Sequence, residues 1–149
     1  MNSALPAFRA PTGLERAANR IFGFLVGIGL CSSHNYLLQV RGRKSGKLYS
    51  TPVNVLQIAG KRFLVAPRGR TQWVRNACSA NAITLKQGSS RQSFGLRPLQ
   101  DAEKLEVLKA YLDTFGRQVQ AYFPVTAGSP IEAFAGIADG YPAFEIVPA

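Results

Sequence analysis

The stretch Gln39–Asn54, QVRGRKSGKLYSTPVN, constrains this chain most. Four of the seven residues from Arg41 to Lys47 are basic, and Gly42 and Gly46 bracket Ser45 within that run. Tyr36, Leu37, Leu38 and Val40 precede it, and Val53, Val55, Leu56 and Ile58 follow it. Apolar and β-branched residues on both sides of a Gly-containing polar run read as two strands, Asn35–Arg41 and Leu48–Ile58, joined by a short cationic turn. Glycine lets the backbone take positive φ and approach a ligand closely. Such a turn offers amides, a hydroxyl and several cations to one anion, a phosphate above all. The same residues also read as a solvated hairpin tip. A P-loop is excluded, because it needs a longer gap between its glycines, Ser or Thr after its Lys, and a helix next. Here Leu48 follows Lys47 and a strand comes next.

Charge is spread unevenly around that turn. Residues 16–100 contain no Asp or Glu yet hold 14 of the 18 Lys and Arg, and the formal net charge of the chain is +10. One sign of charge over so long a stretch draws an anionic partner: a phosphorylated cofactor, nucleic acid or an anionic membrane. The basic runs lack the interleaved aromatics that stack on bases, so nucleic acid is not the expected partner. Cys31 and Cys78 give neither a disulfide framework nor metal-ligand spacing, and His34 is the only histidine, so no metal site is expected. No G-x-S-x-G elbow accompanies His34, which disfavours a Ser-His-Asp hydrolase. An enzyme built on this chain would leave the chemistry to a bound cofactor and supply position and field.

Taken in order, residues 1–11 are irregular, and Thr12-Gly13-Leu14-Glu15 is a capping-box pattern that predicts a helix over about 12–30. The apolar run Ile21–Cys31 is interrupted by Gly23, Gly27 and Gly29. It is too short to span a bilayer, which takes roughly 20 apolar residues. Such a helix would cover an open end of the sheet or rest on a membrane surface. Pro52 places the second strand at an edge or beside a site, because proline cannot donate to a ladder. Arg62–Ala66 reads as a third strand and Pro67–Arg70 as a second basic loop. Thr71 reads as the cap of a short helix through Asn81. Ala82–Gln87 and Gln92–Pro98 form a second hairpin. From Asp101, Leu105, Leu108, Leu112 and Phe115 recur at helical intervals and face a core. Ser129-Pro130-Ile131-Glu132 predicts another short helix, and Ala143–Val147 a last strand. Antiparallel strands with helices packed around them give an α+β barrel-like domain over residues 1–149.

Read together, these pieces resemble the deazaflavin-dependent nitroreductase family, of the FMN-binding split-barrel superfamily. The likeness runs through Leu37-Leu38, Gly42-Arg43-Lys44-Ser45-Gly46-Lys47, Thr51-Pro52-Val53, Leu64-Val65-Ala66, Gly69, Trp73-Val74-Arg75-Asn76, Ala80, Thr84-Leu85 and Pro142-Ala143-Phe144. The resemblance implies a six-stranded, mostly antiparallel split β-barrel with flanking helices. It also implies F420, a deazaflavin hydride carrier with a phosphate and a polyglutamate tail, as the cofactor. On that resemblance Arg43, Lys44, Ser45 and Gly46 hold the phosphate. Thr51 and Pro52 lie near the ring system, Ala66, Pro67, Arg68 and Gly69 approach it from the neighbouring strand end, and Trp73 and Asn76 close the groove.

The resulting expectation is a cytoplasmic oxidoreductase that moves a hydride between reduced F420 and a small unsaturated or nitro-bearing molecule. Tyr111, Tyr122 and Tyr141 are the candidate substrate wall or proton donors. Trp73 reads equally as a plug at the core's edge. An FMN-dependent reductase on the same fold and a non-catalytic carrier of a lipid or tetrapyrrole stay open as alternatives. So do a peripheral membrane contact through the N-terminal helix and the choice between monomer and homodimer.

Overall fold

The computed structural model describes residues 34–149. The expected helix over about 12–30, its Thr12–Glu15 capping box and Cys31 lie outside the described residues. The described chain runs β1 (Asn35–Arg41), β2 (Leu48–Asn54), β3 (Leu56–Ile58), β4 (Lys61–Val65), α1 (Gln72–Ala80), β5 (Ala82–Gln87), β6 (Ser90–Pro98), α2 (Asp101–Val119), three short 3-10 turns and β7 (Ala143–Pro148).

The strands form one sheet in the order β2-β1-β5-β6-β7-β4-β3, with every neighbouring pair antiparallel. β2 and β3 stand at opposite edges, yet Val55 alone separates them in the chain. A sheet whose two edges are consecutive in sequence must curl until they meet. Val55 is the corner: it is buried, and its N–H donates to the His34 carbonyl at 2.8 Å. The expected strand Leu48–Ile58 is therefore divided in two, giving seven strands where six were expected. The α+β class with a curled antiparallel sheet is as expected. Pro52 sits opposite Leu37 in the edge strand β2, where its missing donor costs no ladder bond on the open side.

Alternation along the strands separates two cores. On β4, Leu64 joins Leu38, Ile83, Leu85, Phe94 and Phe144 inside the curl. Its neighbours Phe63 and Val65 face the opposite way, onto Leu108, Leu112 and Phe115 of α2. Leu108 and Leu112 are fully buried, so truncating either to Ala is worth roughly 2–5 kcal/mol. α2 starts with a capping box in which the Gln100 N–H donates to Glu103 Oε1 at 2.9 Å. It continues to Val119, with non-helical dihedrals at Phe115.

Three local expectations change. Ala66 leaves the ladder and donates instead to the Pro142 carbonyl at 2.9 Å. Gly88, with φ 59, allows a tighter turn than expected, so β6 begins at Ser90 rather than Gln92. Ser129 caps no α-helix: a 3-10 turn, Ile131–Phe134, follows Pro130. The segment is already pinned to α2, because Lys109 Nζ donates to the Ser129 carbonyl and the Gly128 N–H donates to Asp113.

Candidate functional site

The cationic turn between β1 and β2 is held by its own backbone. The Gly42 N–H donates to the Lys47 carbonyl at 2.7 Å, and the Gly46 N–H, at φ 73, to the Gly42 carbonyl at 3.0 Å. Ser45 Oγ accepts from the Lys47 N–H at 3.2 Å, and Arg41 donates to the Gly46 carbonyl. The Tyr49 ring lies against Gly42, so closely that a Cβ there would fall 2.6 Å from Tyr49 Cε2. The N–H groups of Lys44 and Ser45 donate to no group among the described residues. Two adjacent amides without a partner among the described residues are groups that can receive an anion.

Asn76 ties this turn to α1. Buried on the helix, its Oδ1 accepts from the Arg43 N–H at 3.1 Å and from the Arg43 guanidinium at 2.8 Å. Arg43 also donates to Gln72 Oε1 at 2.9 Å. The ion pairs among the described residues join Arg97 to Glu103 and Glu145, Lys104 to Asp101 and Lys109 to Asp113. None involves Arg41, Arg43, Lys44 or Lys47, so the turn keeps its positive field.

From Asn76 a groove of about 420 Å³ runs into the split between the open edge of β2 and the end of β4. That size suits a small-molecule or cofactor site, for which roughly 300–1,000 Å³ is usual. Pro52, Val53, Val65, Ala66, Trp73 and Val119 make apolar walls, and Arg68 reaches them from the loop after β4. Gly69, with φ 83, turns that loop back into α1. Thr71 caps α1 by backbone position only. Its Oγ1 is buried at the groove with no hydrogen-bond partner among the described residues. An orphaned hydroxyl at an apolar groove is a group for a ligand to satisfy.

The far end of the groove is polar, where Asn54, Tyr111, Gln118 and Tyr122 meet. Asn35, itself buried, donates its side-chain amide to Asn54 Oδ1. Asn54 Nδ2 in turn donates to Gln118 Oε1 at 2.9 Å. Burial pushes the Tyr111 hydroxyl up to about 12, against a smaller opposing effect of a hydrogen bond from Asn54. Tyr111 is therefore a neutral donor at physiological pH.

Of the residues singled out in the sequence, Thr51, Pro52, Ala66, Pro67, Arg68, Trp73 and Asn76 line one groove. Arg43, Lys44, Ser45 and Gly46 sit in the turn fastened to its rim, with the Arg43 guanidinium occupied by Gln72 and Asn76. Gly69 shapes the loop without lining the groove. Trp73 does both things read for it: it lines the groove and packs against Phe144, with ring centroids 6.1 Å apart. Tyr111 and Tyr122 line the groove, but Tyr141 does not. Tyr141 is fully buried, stacked on Phe123, and donates to the Tyr122 carbonyl. Sequence reasoning missed Asn54, Thr71, Gln72 and Gln118. Asn54 carried a signal, lying two residues beyond Pro52 on the edge strand. Gln118 carried none, because its place depends on where α2 docks.

With this geometry in place, the family model described as F420H(2)-dependent quinone reductase matches residues 14–122. Among solved structures, one described as a domain-swapped dimer is 17% identical with a TM-score of 0.54, covering 89% of this chain and 96% of that one. An F420-H2 dependent reductase (FDR-A) is 18% identical with a TM-score of 0.50, covering 76% and 94%. A heme binding protein from Mycobacterium smegmatis is 10% identical with a TM-score of 0.52, covering 81% and 48%. At these identities the structural likeness establishes the fold alone. None of the curated proteins matches the chain in sequence.

Proposed function

The chain belongs to the F420H(2)-dependent quinone reductase family, and from that premise we propose that it seats F420 in the split groove and reduces a quinone-like or unsaturated carbonyl acceptor beside it. The protein is an F420-dependent oxidoreductase, and F420, expected from the sequence, is the cofactor this family uses. When bound, the reduced deazaflavin supplies a hydride.

The residues present fit such a group. The observation that carries the reading is the continuity of two unlike surfaces. A carboxylate-free cationic turn is fastened through Arg43–Asn76 to the rim of an apolar, slot-like groove. The Lys44 and Ser45 amides with the Lys44 ammonium suit a phosphate, and Arg68 adds a second cation nearer the groove. Pro52, Val53, Val65, Ala66 and Trp73 suit the faces of a flat ring and exclude water from it. The unpartnered Thr71 hydroxyl suits a polar atom on the ring's edge. Tyr111, Asn54 and Gln118 at the far end face the acceptor.

The test is a fluorescence titration of the protein with F420 and with FMN, followed by oxidation of reduced F420 with a naphthoquinone, a nitroaromatic or no acceptor. Selective F420 binding with quinone-dependent turnover is expected. Binding of FMN but not F420, or turnover no faster than the acceptor-free background, overturns the reading.

A further inference from the structure

The polar end of the groove has a direction built into it. An Asn side chain carries one acceptor and one donor group, and the partners of one end decide which way the other points. Asn35 donates to Asn54 Oδ1, so the oxygen of Asn54 is occupied on the side away from the groove. Its NH2 is thereby turned toward Gln118 and Tyr111. Gln118 lines the groove and its Oε1 accepts from Asn54, so the NH2 is the end of that amide left to donate. Gln87 donates to the backbone carbonyl of Asn35 at 2.8 Å, which fastens the strand that carries the relay's first residue. The wall thus presents donor hydrogens, with its acceptor oxygens turned inward.

We propose that Asn35, Asn54, Gln118 and Tyr111 form a donor-rich wall that binds the carbonyl oxygen of the acceptor and stabilises the negative charge this oxygen gains on reduction. The proposal rests on the functional reading above and adds the residues that meet the acceptor's oxygen, which has lone pairs and no hydrogen to clash with donors. In the reaction the acceptor takes up a hydride, two electrons with one proton, from the reduced cofactor, and a second proton from solvent, ending as the hydroquinone. Until that second proton arrives the oxygen carries a full negative charge. Preorganised donors aimed at such a site stabilise the charged state more than the neutral one. Tyr111 and Gln118 contact the acceptor in this scheme. Asn35 acts through Asn54 and is a positioning residue.

Asn35→Asp tests the polarity directly. A carboxylate at 35 accepts only, so Asn54 must turn its NH2 inward and its oxygen toward Gln118. Gln118 then reverses and shows its oxygen to the groove. Gln118→Glu, at an exposed helix position, makes the same change without touching the buried Asn35. The probe is a ring-labelled phenol bound to protein loaded with oxidised F420, its ionisation read from the carbon NMR shift over a pH series. The wild-type protein should lower the apparent pKa of the bound phenol, preferring phenolate about tenfold or more. Both variants should lose that preference and lose about a hundredfold in quinone kcat, the size of one oxyanion donor, with F420 affinity unchanged. If Asn35→Asp does not fold, Gln118→Glu decides. F420 binding intact with phenolate preference unaltered in a folded variant overturns this inference alone. No F420 binding by the wild-type protein overturns the functional reading, and this one with it.

Discussion

Asn76→Ala separates the anchor of the cationic turn from the turn itself. Asn76 Oδ1 accepts from the Arg43 N–H and from its guanidinium, and the side chain is buried. Removing it strands a backbone N–H, which costs roughly 1–3 kcal/mol. It also removes a charge-assisted bond to an exposed Arg, which solvent screening limits to about 0.5–1 kcal/mol. The sum is about 1.5–4 kcal/mol, or about 3–16 °C in Tm for a chain of this size. Arg43→Ala keeps the backbone N–H bond and loses the guanidinium bonds to Asn76 and to Gln72, each worth about 0.5–1 kcal/mol. In the double variant the guanidinium bond can be lost only once, so the two single effects should overshoot the double by that same ~0.5–1 kcal/mol. Urea unfolding followed by far-UV circular dichroism gives all four corners of the cycle. Wild-type stability in Asn76→Ala, or strict additivity with Arg43→Ala, refutes the claim that this one amide fastens the turn to α1.

Lys44→Ala should weaken F420 binding about tenfold, the value of one charge-assisted contact, with no change in Tm because Lys44 is exposed; fluorescence titration beside a melting curve checks both halves. Gly42→Ala forces the Tyr49 ring away from a Cβ that would lie 2.6 Å from it. Since Tyr49 is exposed, F420 affinity should fall more than stability does, and a variant that melts early but binds normally contradicts this. The Tyr111 hydroxyl is raised to about 12 from an ordinary 10.0, so its contribution to stability is complete below pH 10 and is lost as pH rises from about 10 through 12. Tyr111→Phe should flatten that part of the alkaline stability profile and remove one late-titrating group from the tyrosinate absorbance titration. An unchanged titration curve rules it out.

Much of the fold was legible because it is written in local periodicity. The β1 span, the amphipathic run from Asp101 and the basic turn each follow from residues within one window. The failures share a cause of another kind. Nothing near Val55 in sequence marks it as a corner; it becomes one because its N–H meets the His34 carbonyl while the strand changes partners from β1 to β4. Ser129-Pro130-Ile131-Glu132 has sound helix-start chemistry, but Lys109 and Asp113 on α2 hold the preceding backbone first. The site divides in the same way. Pro52 was legible from its missing donor and Arg68 from its basic loop, whereas Thr51, Ala66 and Pro67 came only with the family resemblance. Tyr141, Tyr111 and Tyr122 could not be told apart by type, since only the docking of α2 decides which tyrosine is core and which is groove. The relay through Asn35, Asn54 and Gln118 joins three elements distant in sequence, and no single window contains it.

The corner at Val55 also explains why this barrel has a site at all. A strand that stayed paired along its whole length would close the seam between β2 and β4 and leave nothing to bind. Because β3 pairs with β4 while β2 pairs with β1, the two halves part at Val55 and β2 keeps an open edge. Pro52, placed on that open edge, has no N–H to recruit another strand into the gap. Within the split Asn54 meets Gln118 of α2, while Lys44 and Ser45 are exposed in the turn that precedes β2. Polar Asn54 and Gln118, the apolar walls around Pro52 and Trp73, and the cationic turn tied on through Asn76 therefore follow one another along the split. The order follows from one residue's change of strand partner.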